Sequence, residues 1–371
     1  MLGASAILAV DLGAIVANWR LLGARHAGGA VAAVVKADAY GLSAALVAPA
    51  LREAGCRHFF TAHLSEALAL RPLLADAMLA VLNGLGPSPS EDVIEAFAAH
   101  DLIPVLGSWE EVSAYAAAAR RRARRLPAIL HIDTGMARLG LDRAALARVI
   151  AAPEVLRALD LRFVMTHLVA AENPDDPMNA EQRARFLAAC AQLPPAARSF
   201  ANSSGIFLGP AFASDLARAG AALYGINPTP KAGCGGNPMR LACRLTARVL
   251  QVRDVQAGAP VGYHATWRAP RPSRIATLGI GYADGWRFRL AGKGVAFFDG
   301  TPVPLVGRVS MDLTMCDITD HPAIAAGSWL ELIGPQAPPE QIAALLGTSP
   351  YEVLTSLGPR IARLPRATVP F

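Results

Sequence analysis

Between about residue 30 and residue 225, short apolar runs alternate with segments of helical period. Their spacing of roughly two dozen residues is the one that repeated βα units require. The runs predict strands at residues 31–35, 58–62, 78–82, 103–106, 128–132, 161–166, 199–201 and 216–219. Helices are predicted between them, for example at Glu91–Ala99 and at residues 181–191. Eight strands with intervening helices read as a (β/α)8 TIM-type barrel, and a doubly wound open sheet is the alternative that periodicity leaves open. After Gly225 the texture changes: Pro and Gly turns separate alternating strands, as at residues 243–252 and 328–333. That is the pattern of a second, mostly β domain. The apolar start, Ile7-Leu-Ala-Val-Asp, reads as a strand that joins this second domain before the chain enters the barrel. The expected organisation is therefore an N-terminal strand at 1–10, a barrel at 11–226 and a mostly β C-terminal domain at 227–371.

Composition narrows the class. With 371 residues, 53% of them hydrophobic, the chain can bury a sizeable core. No uninterrupted apolar run reaches the roughly 18 to 20 residues that cross a bilayer, so no membrane partner is expected. The apolar start lacks the basic segment and small-residue cleavage site of a secretory signal, which points to the cytoplasm. Five scattered cysteines (Cys56, Cys190, Cys234, Cys243, Cys316) form no metal-ligand spacing and read as free thiols, mostly buried. The net charge of +6 is dispersed except at residues 120–125. That run follows an Ala-rich helical stretch and reads as a solvated helix end, so no nucleic-acid partner is expected.

One feature of composition bears on chemistry: only three of the 35 basic residues are lysines, Lys36, Lys231 and Lys293. Lys231 and Lys293 sit in Pro/Gly-rich polar turns. Lys36 instead follows the apolar run Ala30-Val-Ala-Ala-Val-Val, which reads as a fully buried strand. At the C-terminal end of a barrel strand, an amine on apolar walls has its charged form disfavoured and is available as a nucleophile or Schiff-base former. Taken alone, such a lysine is more often a side chain snorkelling into water.

Groups at other predicted strand ends change that balance. His131-Ile-Asp-Thr-Gly-Met-Ala-Arg138 follows the fifth strand, His167 the sixth, Asn202-Ser203-Ser-Gly the seventh, and Arg218-Ala-Gly220-Ala221 spans the end of the eighth. Ser203 and the backbone amides near Gly220 and Ala221 stand at the last two strands, where barrels often hold phosphate.

These segments resemble bacterial alanine racemases. Val34-Val-Lys36-Ala-Asp-Ala-Tyr40-Gly resembles the attachment motif for pyridoxal 5'-phosphate (PLP) in that family, and Gly281-Tyr282-Ala-Asp-Gly-Trp286 is a second specific match. The resemblance runs in order from residue 11 to residue 360. It implies a barrel followed by a β domain, and PLP-dependent interconversion of L- and D-alanine that supplies D-alanine for peptidoglycan. Carried over by position, it makes Lys36 the lysine that carries the cofactor and the base on one face of the α-carbon, and Tyr263 the second base. In the family that tyrosine comes from the partner subunit, so a homodimer with shared active sites is implied. Tyr40, Ser203, Gly220, Ala221 and Tyr351 match phosphate-holding positions, with Asn202 beside them. Arg138 and Met311 match positions that meet the substrate carboxylate or the cofactor's phenolic oxygen, and Tyr282 a residue lining the substrate entrance. Arg218 matches the residue facing the pyridine nitrogen, and His167 is placed to hold Tyr263 or Arg218 in a hydrogen-bond chain.

Three positions depart from the family pattern. Leu42-Ser43 replaces a usual histidine and glycine, Ser310 a frequent cysteine, and His131 a lysine that is carbamylated in some members. A carbamate needs an amine, so either another anion, such as chloride, or a neutral imidazole must orient Arg138. The alternatives to this reading are a racemase for serine or a broader set of amino acids, a decarboxylase, and a non-catalytic PLP-binding carrier, which lacks a C-terminal β domain.

Overall fold

A computed structural model describes residues 3–231 and 236–368. Cys234 lies outside the described residues; the other four cysteines are free thiols, with Cys56, Cys243 and Cys316 buried. The chain divides into two compact units. One comprises Ile15–Ala39 and Ala44–Arg240, and the other comprises the chain up to Ala14, the short segment Tyr40–Ser43 and everything from Leu241 onward.

After an N-terminal strand, β1 (Ala6–Val10), the first unit is built on eight strands: β2 (Ala30–Val34), β3 (His58–Thr61), β4 (Met78–Val81), β5 (Ile103–Leu106), β6 (Leu126–His131), β7 (Leu159–Met165), β8 (Ala197–Asn202) and β9 (Leu216–Ala219). Each pairs in parallel with the next, and β2 pairs with β9 through Ala30–Ala33 against Leu216–Ala219, so the sheet closes into a barrel. Strands covered on both faces have no polar side to show, which is why Val31, Ala32, Ala33, Phe59, Phe60, Leu79, Val81 and Leu130 are all buried and the runs read as continuously apolar. The open-sheet alternative is thereby excluded. Strands β6, β7 and β8 each begin two residues before the apolar run that marks them. Pairing is a backbone property, and the register Leu126↔Leu159 and Pro127↔Asp160 extends the ladder back to a leucine on each strand across Pro127 and Asp160, which interrupt the apolar run.

The intervening helices begin at residues that supply their first donors with an acceptor. Ser90, Ser108, Asp142 and Asp176 each accept a backbone N–H from the first turn of the helix that follows. At the end of helix Trp109–Arg121 the basic run is engaged locally: Arg121 pairs with Glu91, Arg122 with Glu91 and Glu95, and Arg125 donates to Leu159 O.

The second unit carries β10 (Cys243–Val255), β11 (Pro260–Val261), β12 (Trp267–Arg268), β13 (Ser273–Leu278), β14 (Val295–Phe298), β15 (Thr301–Val306), β16 (Thr314–Asp317), β17 (Trp329–Ile333) and β18 (Ala362–Pro365). Its main sheet runs β13-β16-β15-β14-β17-β10-β1-β18. The 13-residue β10 also pairs with β13, so the run from β13 to β10 returns on itself. β1 enters this sheet as the sequence suggests, antiparallel to β10 and parallel to β18.

Candidate active site

Lys36 follows β2 by one buried residue, Val35, at the C-terminal rim of the barrel. The strand end is anchored from inside: Tyr224, fully buried, donates its hydroxyl to Val34 O at 2.8 Å. Beyond Lys36 the backbone makes a left-handed turn, with φ of +52°, +52°, +55° and +56° at Ala37, Asp38, Ala39 and Tyr40. Each non-glycine residue there costs about 1–2 kcal/mol, so the turn persists only because it is gripped from outside. Within the first unit the grips are Ala37 N–H to Glu66 Oε1 (2.6 Å), Ala39 N–H to Val35 O (2.9 Å) and Ala44 N–H to Asp38 Oδ1 (2.7 Å). The Lys36 amine is pushed below the usual lysine range, first by burial and then by the Arg138 charge, while Glu66 opposes the shift. Lys231 and Lys293 lie exposed in turns.

Four other strand ends of the same barrel supply the groups expected there. Arg218, on β9 and only 3% exposed, donates to Ser199 Oγ at 2.6 Å, to Thr166 O, and to His167 Nδ1 at 3.4 Å. All three partners are neutral, and among the described residues Arg218 forms no salt bridge. Burial brings its guanidinium down to about 10. His167 is held well below the usual histidine range by burial and by Arg218, and His131, at the end of β6, falls to about 4 for the same two reasons. Both rings are therefore neutral at pH 7. Arg138 is exposed on the loop after β6, and its charge acts on Lys36, His131 and His167. That loop is shaped by Asp133, whose carboxylate accepts the amides of Gly135, Met136 and Ala137 at 2.9–3.2 Å. At the last two strand ends, Ser203 Oγ accepts Gly220 N–H at 2.9 Å and Ala222 N–H at 3.4 Å, with Ala221 between them. Asn202 is turned to its own loop, Oδ1 accepting Gly205 N–H at 2.8 Å.

Beneath these groups runs a buried polar network absent from the sequence reading. Gln182, fully buried, donates to Thr134 Oγ1 (3.0 Å) and His167 O (2.9 Å) and accepts Val169 N–H (2.8 Å). Thr134 in turn shares a 2.8 Å hydrogen bond with Thr166, whose carbonyl receives Arg218. A buried network whose members are all paired fixes its neighbours' orientation. Glu66, Gln182 and Tyr224 leave no local signal, because their partners lie 29, 48 and 190 residues away. Asp133 does leave one, since Asp-Thr-Gly is an Asx-turn pattern.

The second unit holds the remaining expected residues. Tyr40 is half-buried, and desolvation pushes its hydroxyl up to about 12. Gly41, at φ +85°, continues the left-handed turn; a Cβ there would sit 2.4 Å from Leu354 O, on the helix Pro350–Thr355 that carries Tyr351. Tyr263 is 67% exposed, on a turn in which Gly262, His264 and Ala265 all have positive φ. Gly262 stands at φ +76° with ψ −177°, a region essentially confined to glycine. A connected exposed patch extends from this turn, through Arg308 over the Phe288 ring (5.7 Å), to Tyr282, whose ring meets Phe288 edge-on at 6.5 Å. Tyr282 N–H bonds Ser310 O (2.9 Å), and next to it stands Met311, 54% exposed.

Comparison with known proteins agrees with this arrangement. A family model described as alanine racemase, N-terminal domain matches residues 10–228, and one described as alanine racemase, C-terminal domain matches residues 242–365. An alanine racemase of Acidiphilium cryptum is 55% identical over 357 residues, covering 96% of this chain and 98% of that protein. One of Brucella abortus is 46% identical, covering 98% of this chain and 94% of its own. Among solved structures, the alanine racemase of Bartonella henselae with covalently bound pyridoxal phosphate superposes with a TM-score of 0.91 at 42% identity, over 97% of this chain and 99% of that one. The biosynthetic alanine racemase of Pseudomonas aeruginosa gives 0.86 at 32% identity, over the same shares.

Proposed function

The chain belongs to the alanine racemase family, and from that premise we propose that it interconverts L- and D-alanine with PLP held on Lys36 and two bases, Lys36 and Tyr263, serving opposite faces of the α-carbon. The carrying observation is Lys36 itself. It is the one half-buried lysine of three, it ends the first barrel strand, and burial and Arg138 bias its amine toward the neutral, nucleophilic form.

The residues at the barrel rim fit PLP. An aldehyde needs an amine, and Lys36 supplies one. A ring nitrogen needs a hydrogen-bonding partner, and Arg218 is a buried cation whose present partners are all neutral. A phosphate needs close backbone amides and hydroxyls, and the Ser203, Gly220 and Ala221 cluster offers both, with Tyr40 and Tyr351 assigned to the same task and Asn202 bracing the loop. When bound, the cofactor withdraws the electron pair left on the α-carbon by proton loss.

The chain's own residues do the rest. Racemisation requires one proton to leave a face and another to arrive on the opposite face, so one base per face is the simplest apparatus. Lys36 exchanges a proton on one side and Tyr263, from the partner subunit, on the other. Arginine gives up its proton with difficulty, so Arg218 would serve the ring nitrogen as a hydrogen-bond donor that does not pass it a proton. His167, neutral and bonded to Arg218, holds that guanidinium in place. Arg138 and Met311 are assigned to the substrate carboxylate and the phenolic oxygen, and Tyr282 to the substrate entrance. The exposed patch around Tyr263, Phe288, Tyr282 and Met311 supports a homodimer, because apolar surface of this kind is normally covered. Supply of D-alanine to peptidoglycan is the proposed role.

The test is loss of optical rotation for a panel of L- and D-amino acids with PLP present, in which alanine leads, together with borohydride reduction of the holoenzyme. A pyridoxyl label on Lys231 or Lys293 overturns the site, and a lead by serine or by a broad set overturns the substrate. Bound PLP with no α-proton exchange on any amino acid would make the chain a carrier.

A further inference from the structure

Two glutamates, Glu66 and Glu111, occupy the same place in two βα units, each the third residue of its helix, Leu64–Leu70 and Trp109–Arg121. A carboxylate is favoured there by the unpaired amides of the first turn. Each side chain spends one oxygen on its own strand-to-helix loop and the other on the loop that leaves the preceding strand. Glu111 Oε2 accepts Gly107 N–H at 2.8 Å, and Oε1 accepts Leu85 and Gly86 N–H at 2.7 and 3.2 Å. Glu66 Oε2 accepts Ala62 and His63 N–H at 2.8 and 3.1 Å, and Oε1 accepts Ala37 N–H at 2.6 Å.

What differs is the neighbour of the second grip. For Glu111 it is the turn after β4, a matter of scaffold. For Glu66 it is the residue after Lys36, the first of the left-handed turn, where an unfavourable backbone most needs an external partner. The charge of the same carboxylate acts on the Lys36 amine against burial and Arg138, both of which favour the neutral amine. His167, on which the Lys36 charge acts in turn, is held well below the usual histidine range.

We propose that Glu66 is a positioning residue for Lys36: through the Ala37 amide it holds the left-handed turn and so sets the direction in which the lysine leaves it. The proposal rests on Lys36 being the cofactor lysine, but its test does not need cofactor or turnover.

The full-length, PLP-free chain is labelled with trinitrobenzenesulfonate across a pH series, and modification is quantified on the peptides holding each of the three lysines. Glu66→Gln removes the charge and has only one oxygen for acceptor duty. It should lower the labelling midpoint of Lys36, leaving Lys231 and Lys293 unmoved as internal references. Glu111→Gln, the equivalent change in the other unit, should leave the Lys36 midpoint at its wild-type value. Glu66→Asp keeps the charge on a shorter stem, so the midpoint should hold while amide exchange over residues 36–41 becomes faster. An unmoved Lys36 midpoint in folded Glu66→Gln, or an equal shift in Glu111→Gln, means that the Glu66 carboxylate has no specific hold on Lys36 and overturns the proposal. Wild-type exchange over residues 36–41 in Glu66→Asp overturns it as well, and does so even if the Gln variant does not fold. A pyridoxyl label that avoids Lys36 would sink the functional reading while leaving this comparison of midpoints intact.

Discussion

Lowering the pH from 7.5 to 5 should cost the folded chain about 2 kcal/mol through His131 alone, and His131→Gln should remove that share. In the unfolded chain a histidine takes up its proton near 6.5; in the folded protein burial and the Arg218 charge bring His131 to about 4. The folded pKa lies below the unfolded one, so between them the unfolded state binds more protons. Stability is thus fully present above 6.5, declines as pH falls, and is wholly lost once pH passes 4. At pH 5 the unfolded ring is almost entirely charged and the folded ring about one-tenth charged, and the ratio of the two binding factors, roughly 30, corresponds to about 2 kcal/mol. The assay is chemical denaturation of PLP-free protein at pH 7.5 and pH 5, for wild type and His131→Gln. His58 and His167 are shifted in the same direction, and His131 is one of the charges acting on His167, so the difference between the two pH dependences reads His131 together with its coupling to His167. A variant that loses as much stability as wild type between these pH values refutes the argument. The result also bears on Arg138, because a ring that stays neutral at pH 7 cannot serve it as an anion.

Three further outcomes are expected. Tyr263→Phe should cut racemisation steeply in both directions while solvent deuterium still enters the α-position of one enantiomer, expected to be the D form; equal loss of exchange for both, with PLP bound, points to a single base. Mixing inactive Lys36→Ala with inactive Tyr263→Ala should restore some activity if the two bases come from different subunits, and no recovery after verified subunit exchange means that each chain completes its own site. Tyr224→Phe leaves the Val34 carbonyl without its buried hydroxyl donor and should cost about 1–3 kcal/mol, read as a lower denaturation midpoint, with no cost meaning that the carbonyl finds another donor.

The barrel was legible because strands buried on both faces must be apolar throughout, and eight such runs separated by helical segments leave few architectures. Lys36 was legible for a related reason. A charge at the end of a wholly apolar run is costly unless used, and the chain has only two other lysines, both in exposed turns. Arg218, His167, Ser203 and Gly220 could be placed at strand ends because strand order alone puts the C-terminal rim in one place. Strand starts were less visible. β6, β7 and β8 extend two residues before their apolar runs, since backbone pairing carries the ladder past Pro127, Asp160 and Arg198, which interrupt the apolar pattern.

By itself, then, the sequence determined the periodicities, the fold class that follows from them, and which side chains reach the barrel rim. Local hydrophobic pattern is a one-dimensional quantity, and these are its direct consequences. Only the tertiary structure decided the states those side chains adopt. That His131 and His167 are neutral, that Arg218 is buried among neutral partners, and that Glu66 reaches Ala37 across the loop from the next helix depend on desolvation and on contacts between distant segments. The left-handed turn from Ala37 to Tyr40 belongs with them. Apart from Asp38, whose type tolerates positive φ, and the closing Gly41, no residue in it favours that region, so its conformation is imposed by surrounding acceptors rather than by its own propensity.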